Sequence, residues 1–352
     1  MSYPVVARPR PYLVRVKAGR MYFWCRCGRS ANQPFCDGSH RGTGFAPLRF
    51  VAGPQDADVL FCGCKDTRNA PFCDGAHNNL PGGSPVDDPL SPTNLAIPTV
   101  ERHGPRALLN GGYVFSPEAA PMLSQGALSY CDLASAEMGA VHQTQVLLEL
   151  PPQQQSPVIS MGASECILFV ASGAGEVNIS GRPFRIGATD GVYVRPAEAM
   201  QLTAGATERL RVFVLTCPTT ELQWPGEMPL NFDAQCGQRV VSVDPAQRIA
   251  MGSRYFQLLV DKKIGSQVIT QFIGHVPRSK AAPHRHLYEE SIFVLSGAGY
   301  MWTEDRKAPV RAGDVIFLPS RQLHSLEATS MDGIDVVGVI CPGDNPSINY
   351  YD

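Results

Sequence analysis

A chain of 352 residues is long enough for two or three domains, each with its own core. Hydrophobic residues at 44% and charged residues at 18% describe a soluble globular protein, and a formal net charge of -2 leaves no basic footprint for nucleic acid or an anionic membrane. No apolar run reaches the roughly 18–20 residues of a membrane helix, and the opening MSYPVVARPRPYLV sets prolines and arginines where a secretory signal needs an unbroken apolar stretch, so a cytoplasmic location is expected.

The first chemistry-bearing stretch is CRCGRSANQPFCDGSH at 25–40, and CGCKDTRNAPFCDGAH repeats its C-x-C-x8-C-x3-H spacing at 62–77. Six of the eleven cysteines fall in these two clusters. The other five, at 131, 166, 217, 236 and 341, are scattered and odd in number, unlike the even framework of a small secreted domain. In a C-x-C pair on an extended segment both thiols point the same way. Cys36 and His40 stand four apart, one helical turn, which predicts a helix opening at CDG with Asp37 as its cap and Gly38 allowing close backbone approach. Three cysteines and a histidine suit a structural zinc, although zinc ribbons usually space their paired cysteines by about two to four residues.

Both segments match the pattern of the CDGSH iron–sulfur family, C-x-C-x2-[ST]-x3-P-x-C-D-G-[SAT]-H, at every specified position. Ser30 and Thr67 fill the hydroxyl position, and Pro34 and Pro71 the proline. Residues 12–79 resemble the tandem, two-motif branch of that family. The resemblance implies two [2Fe–2S] clusters, one held by Cys25, Cys27, Cys36 and His40, the other by Cys62, Cys64, Cys73 and His77. A neutral imidazole in place of a thiolate raises a cluster's reduction potential. It is also a ligand that acid can detach.

From 81 to 98, PGGSPVDDPLSPTNLAIP carries five prolines and reads as an extended linker, assigned to 81–100. Beyond it, short apolar runs separated by Gly, Pro and Asp predict an all-β architecture. An internal repeat sharpens this. FVASGAG at 169–175 recurs as FVLSGAG at 293–299, VYVRPAEAMQ at 192–201 parallels VIFLPSRQLH at 315–324, and VLTCP at 214–218 parallels VICP at 339–342. Two copies of one β-barrel are expected, a first at 101–225 and a second at 226–352. The second copy, PHRHLYEESIFVLSGAG followed by GDVIFLPSRQLH, resembles the two sequence motifs of the cupin superfamily. The expected fold is therefore mainly β: a small CDGSH-type iron–sulfur module at 1–80, then two cupin (jelly-roll) barrels.

In the second barrel His284, His286 and Glu290 share parity, so on one continuous strand they would face the barrel interior together. The cupin pattern supplies His324 as the last ligand. Such a set suits one divalent metal, with Fe(II) favoured over Mn(II), Ni(II) or Zn(II). Aligning the copies puts Ser160, Gly162 and Cys166 opposite His284, His286 and Glu290, and Gln201 opposite His324, so the first barrel is expected to be structural or to wall the second site. His142 and His275 read as satisfied core or loop histidines, and Cys217 and Cys341, at equivalent strand ends, as packing residues. The terminal SINYYD could place Tyr350 or Tyr351 over a barrel mouth.

The functional expectation is a non-haem iron, dioxygenase-like oxidoreductase acting on a small organic substrate, with the clusters supplying or buffering electrons. A redox or iron sensor with a ligand-binding bicupin is the alternative from another class, and a redox-neutral Mn-dependent hydrolase or isomerase the alternative within enzymes. A small molecule is the expected partner, neither nucleic acid nor membrane is, and there is room for a redox partner protein and a homodimer.

Overall fold

The structure, a computed structural model, describes residues 3–351. The front module is built from two small antiparallel pairs: Tyr12–Val16 with Ala57–Phe61, and Met21–Trp24 with Leu48–Val51. Each pair takes one strand from each copy of the motif, so the two copies share one core. Its centre is aromatic, with Phe61 edge-on to Phe35 at 5.2 Å and to Phe50 at 5.5 Å. Trp24 Nε1 donates to the Cys62 carbonyl at 3.1 Å, tying one motif to the other.

The helix expected at CDG does not form. Asp37 accepts from the Ser39 amide at 3.0 Å and, with its other oxygen, from the Ala31 amide at 2.8 Å. Asp74 repeats both contacts with Ala76 and Arg68. Reaching back six residues, the aspartate closes a loop around the site instead of capping a helix. Only the second copy continues into a single 3-10 turn, Ala76–Asn79.

Behind the module stand two β-barrels, each of two sheets: seven and four strands in the first, eight and five in the second. Their edges do not respect the boundaries read from the sequence. The hairpin Arg106–Leu109 and Gly112–Phe115 joins the second barrel, pairing Phe115 with Val315, whereas Val240–Val241 pairs with Gly191–Val194 of the first. Nor is 81–100 a free linker. Val86–Asp87 adds a strand beside Ser279–Ala281, Lys280 Nζ meets Asp87 at 2.6 Å, and Val100 bonds the Lys307 carbonyl. The physical reason is common to all three: an open sheet edge presents unpaired amides and carbonyls that a short extended segment can satisfy.

The barrels pack back to back about a pseudo-twofold axis. Phe213 and Phe293 meet across it with ring centroids 4.0 Å apart. Glu165 accepts from the Ser266 hydroxyl and the Gln267 amide, and Glu289, its counterpart in the other copy, accepts from the Val141 and His142 amides. Cys217 and Cys341, expected as packing thiols, are instead joined in a disulfide between the barrels. Facing each other across the axis, equivalent strand ends bring equivalent thiols together. No helix among the described residues is long and apolar enough to cross a membrane.

Candidate metal centres

Each front quartet resolves into two pairs. Cys25 and Cys27 sulfurs lie 3.6 Å apart, and Cys36 Sγ lies 3.1 Å from His40 Nδ1. In the second quartet Cys62 and Cys64 are 3.4 Å apart, and Cys73 is 3.4 Å from His77 Nδ1. Among the described residues, only a triad in the second barrel brings three donor atoms within 4.8 Å of one another. One tetrahedral zinc, with bonds of about 2.0–2.3 Å, would need its four donors crowded within roughly 4 Å. A sulfur–sulfur pair set apart from a sulfur–nitrogen pair instead fits two irons, one per pair.

The loops are held by the motif's own side chains. Ser30 and Thr67 hydroxyls donate to the Phe35 and Phe72 carbonyls at 2.6 and 2.8 Å, and both Gln33–Pro34 and Ala70–Pro71 are cis. The quartets differ in exposure. Cys36 and His40 are half-buried, whereas His77 is 1% exposed and Cys73 5%. Burial pushes the His77 imidazole down to about 4. The sequence reading missed Lys65, a buried ammonium that donates to the Cys62 carbonyl at 3.1 Å and stands 4.7 Å over the Trp24 ring. A cation there favours the more negative, reduced form of a cluster held by Cys62 and Cys64.

In the second barrel the expected residues converge, though not by the expected route. Only Glu290 lies on the strand Glu289–Ser296. His284 sits on an isolated bridge to His324, with both backbone bonds at 3.0 Å, and the chain bends at 287–288 before the strand begins. Strand parity therefore does not align the ligands; the bridge does. His284 and His324 each direct Nδ1 to the carbonyl two residues earlier, Ala282 and Gln322, at 2.9 Å, which leaves both Nε2 atoms for a metal. Glu290 Oε2 stands 3.1 Å from His286 Nδ1 and 3.9 Å from His324 Nε2. His286 Nδ1, buried and lacking a hydrogen-bond partner, points at this gap. Convergent imidazoles with a carboxylate beside them fit a divalent cation.

His284 and His324 are neutral bases in the metal-free site. Burial, then the charge of His286, lowers His324 to about 4, and burial with the charges of His324 and His286 sets His284 well below its ordinary value. Between pH of about 6.5 and about 4 the unfolded chain thus binds more protons than the folded one, so the metal-free protein should lose stability as pH falls through that window. Thermal unfolding of metal-free wild type and His324→Gln across pH 7 to 4 checks this; the variant should show the shallower decline.

The cavity over the triad holds about 100 Å³ and is walled by residues 251–349, so the first barrel contributes no wall. The first barrel's own interior is closed by Ile159, Met161, Cys166 and Leu168, each 1% exposed or less. Phe256, Phe272, Met301 and Leu326 make the cavity apolar. Two polar groups enter it that no motif announced. Asn349 Oδ1 accepts from His286 Nε2 at 2.9 Å. Arg254, half-buried, places a guanidinium there with no ion-pair or hydrogen-bond partner among the described residues, and burial lowers its pKa from the ordinary value. His275 is satisfied by Asp335 at 2.9 Å, His142 is exposed, and Tyr351 stands with its ring 6.1 Å from that of His284.

Comparison with known proteins agrees with this division. Residues 5–41 match the family described as iron-binding zinc finger, CDGSH type, and residues 275–337 match the cupin domain. CDGSH iron-sulfur domain-containing protein 3, mitochondrial, of Mus musculus is 57% identical over 51 residues, 14% of this chain and 37% of that protein. The chain thus spans well under half the length of this curated relative. An oxalate-binding protein of Thermotoga maritima is 34% identical over 65 residues, 18% of this chain and 54% of that one. Among solved structures, Ylba from E. coli superposes with a TM-score of 0.52 at 16% identity, covering 72% of this chain and 98% of its own. The Lactobacillus farciminis oxalate decarboxylase formate complex does so at 0.52 and 14%, covering 68% and 88%. At such identities the likeness shows the fold alone. A CDGSH domain implies an iron–sulfur cluster and a cupin a divalent metal. The chain is a CDGSH-type iron–sulfur module fused to a bicupin.

Proposed function

We propose that the protein is a metal-dependent oxidoreductase of the non-haem iron, dioxygenase-like kind, acting on a small organic acid in the second barrel. Two [2Fe–2S] clusters in the front module would exchange electrons with that metal. His284, His286, His324 and Glu290 would hold the metal, with Fe(II) favoured because the same chain carries one-electron centres.

The observation that carries the substrate class is Arg254. A guanidinium half-buried beside the triad without a counter-ion is costly unless an anion completes it, and its planar fork matches a carboxylate. A cavity of about 100 Å³ suits only a very small acid, given that about 150 Å³ accepts benzene. The likeness to an oxalate-binding protein puts oxalate first among the acids to try.

The test is O2 uptake by anaerobically Fe(II)-loaded, full-length protein on addition of oxalate and other two- to four-carbon acids, with Arg254→Ala alongside. One acid should be consumed with O2, and Arg254→Ala should raise its KM by about tenfold or more, the loss expected for a charge-assisted bidentate contact. No acid-dependent uptake would move the sensor reading ahead. An acid bound equally well by Arg254→Ala would remove the arginine from the site.

A further inference from the structure

The two front quartets occupy unequal places. The first faces solvent; the second lies against the barrel that carries the triad, through Asn79, which bonds Ala250 and Gly252, and through one segment of chain that reaches the triad, Asn345–Asn349. On the module side, Asn345 Nδ2 donates to the Asp74 carbonyl at 2.9 Å, and Asn78 Nδ2 donates to the Ser347 carbonyl at 2.7 Å. Asp74 and Asn78 directly follow Cys73 and His77. On the barrel side, Asn349 Oδ1 receives the Nε2 proton of His286 at 2.9 Å, and Arg285 exchanges backbone bonds with Tyr350 at 3.0 and 3.2 Å. Three residues therefore separate a contact to the second quartet's loop from one to the triad. Among the described residues, no such hydrogen bond ties the first quartet's loop to the barrel.

We propose that Asn345–Asn349 is a strap that couples the second quartet to the barrel metal site, with Asn349 as the positioning residue for His286. Loading of the second quartet orders the Cys73–His77 loop, the loop pins Asn345 and Ser347, and the pinned strap holds His286 with Nδ1 aimed at the metal. Binding at one site thereby strengthens binding at the other, and the coupling is reciprocal. The proposal rests on the metal-centre reading given above and needs no electron transfer or turnover.

Two glycines give a matched test. Gly38 and Gly75 hold the same motif position, both left-handed, at φ of 100° and 84°. A side chain strains both backbones alike. A Cβ at Gly38 meets nothing within 4 Å, whereas at Gly75 it would fall 1.9 Å from Ser347 Oγ, on the strap itself.

The experiment titrates Mn(II) into full-length protein with oxidised clusters, following loss of the free-ion EPR signal, with visible absorbance reporting that both quartets are loaded. Gly75→Ala should weaken Mn(II) binding by about tenfold or more, the scale of losing an outer hydrogen bond to a metal ligand, while Gly38→Ala binds as wild type. Should Gly75→Ala fail to fold, the Asn78→Ala, Asn345→Ala pair cuts the same link with both quartets intact and should show the same loss. Asn349→Leu should weaken binding similarly, and Asn349→Asp, which still accepts from His286, should restore it. Wild-type affinity in Gly75→Ala or in the asparagine pair overturns the coupling, as does an equal loss in Gly38→Ala. Unchanged Mn(II) binding in His284→Ala would instead overturn the metal-centre reading, so the two failures are distinguishable.

Discussion

A His284→Ala, His286→Ala variant should bind no metal in its barrel, whereas Ser160→Ala and Gln201→Ala should bind one equivalent, as wild type does. The double substitution removes two of the three imidazoles that bring donors within 4.8 Å of one another. What remains is His324 Nε2 and the Glu290 carboxylate, 3.9 Å apart, a two-point site open to water. Loss of an outer-sphere partner alone costs about 10–100-fold in affinity, so losing two ligands should exceed the upper end of that range. The controls fail to matter for a physical reason. Gln201 Nε2 already donates to the Ser156 carbonyl at 2.9 Å, Ser160 pairs through its backbone with Gln223, and the equivalent of Glu290 is Cys166, fully buried among aliphatic side chains. Manganese per chain, measured on full-length protein, separates barrel metal from cluster iron. The full chain is required because Val86–Asp87 and Pro98 are stitched to the second barrel, so trimming the front to residue 98 would open a sheet edge. A second equivalent of manganese retained in the first barrel would contradict the alignment of the two copies.

The convergence of the candidate metal-binding side chains was legible in the sequence because their chemistry demands residue types at short spacings, a cysteine pair on one extended segment and a His-x-His, whereas the aspartate that closes its own loop reads in the sequence as a helix cap. Parity along one strand accounts for the barrel set only in part. His284 and His286 converge with Glu290 through the bridge to His324, a contact across 40 residues that parity along one strand does not encode. Arg254 and Asn349 escaped notice because each reaches the cavity from a separate strand or tail with no neighbouring motif. An arginine in SRYFQLLV looks like any strand-edge cation until the fold shows it without a counter-ion. The linker was misread for a related reason. Proline content reports local extension, and an extended segment of two residues pairs with an open edge without any side-chain signature. The disulfide between Cys217 and Cys341 depends on the twofold packing of the barrels, which the repeat announces but does not orient.

Protein purified with its clusters intact should be red-brown and carry four irons and four acid-labile sulfides in the front module, and mild acid should strip the two quartets at different rates, the first quartet leading. Proton and iron compete for the same ring nitrogen, so the cluster whose histidine is better shielded from acid should outlast the other. His77 is that histidine. Its burial lowers the imidazole to about 4, so at pH 6 about one unliganded ring in a hundred carries a proton. His40 lies in a loop open to solvent, beside half-buried Cys36, where water and buffer acids reach it directly. As pH falls, the solvent-exposed first quartet should empty first, and the second should follow only as pH approaches about 4. Visible absorbance after a pH jump reads this as two phases of similar amplitude. Cys36→Ser should delete the fast phase and Cys73→Ser the slow one. His40→Cys should slow the fast phase, since a thiolate replaces the protonatable ring, and lower that cluster's reduction potential by adding negative charge. Stoichiometric zinc without sulfide would overturn the iron–sulfur assignment. A single phase in wild type, unchanged by either cysteine substitution, would show that the difference in burial between His40 and His77 does not govern cluster loss.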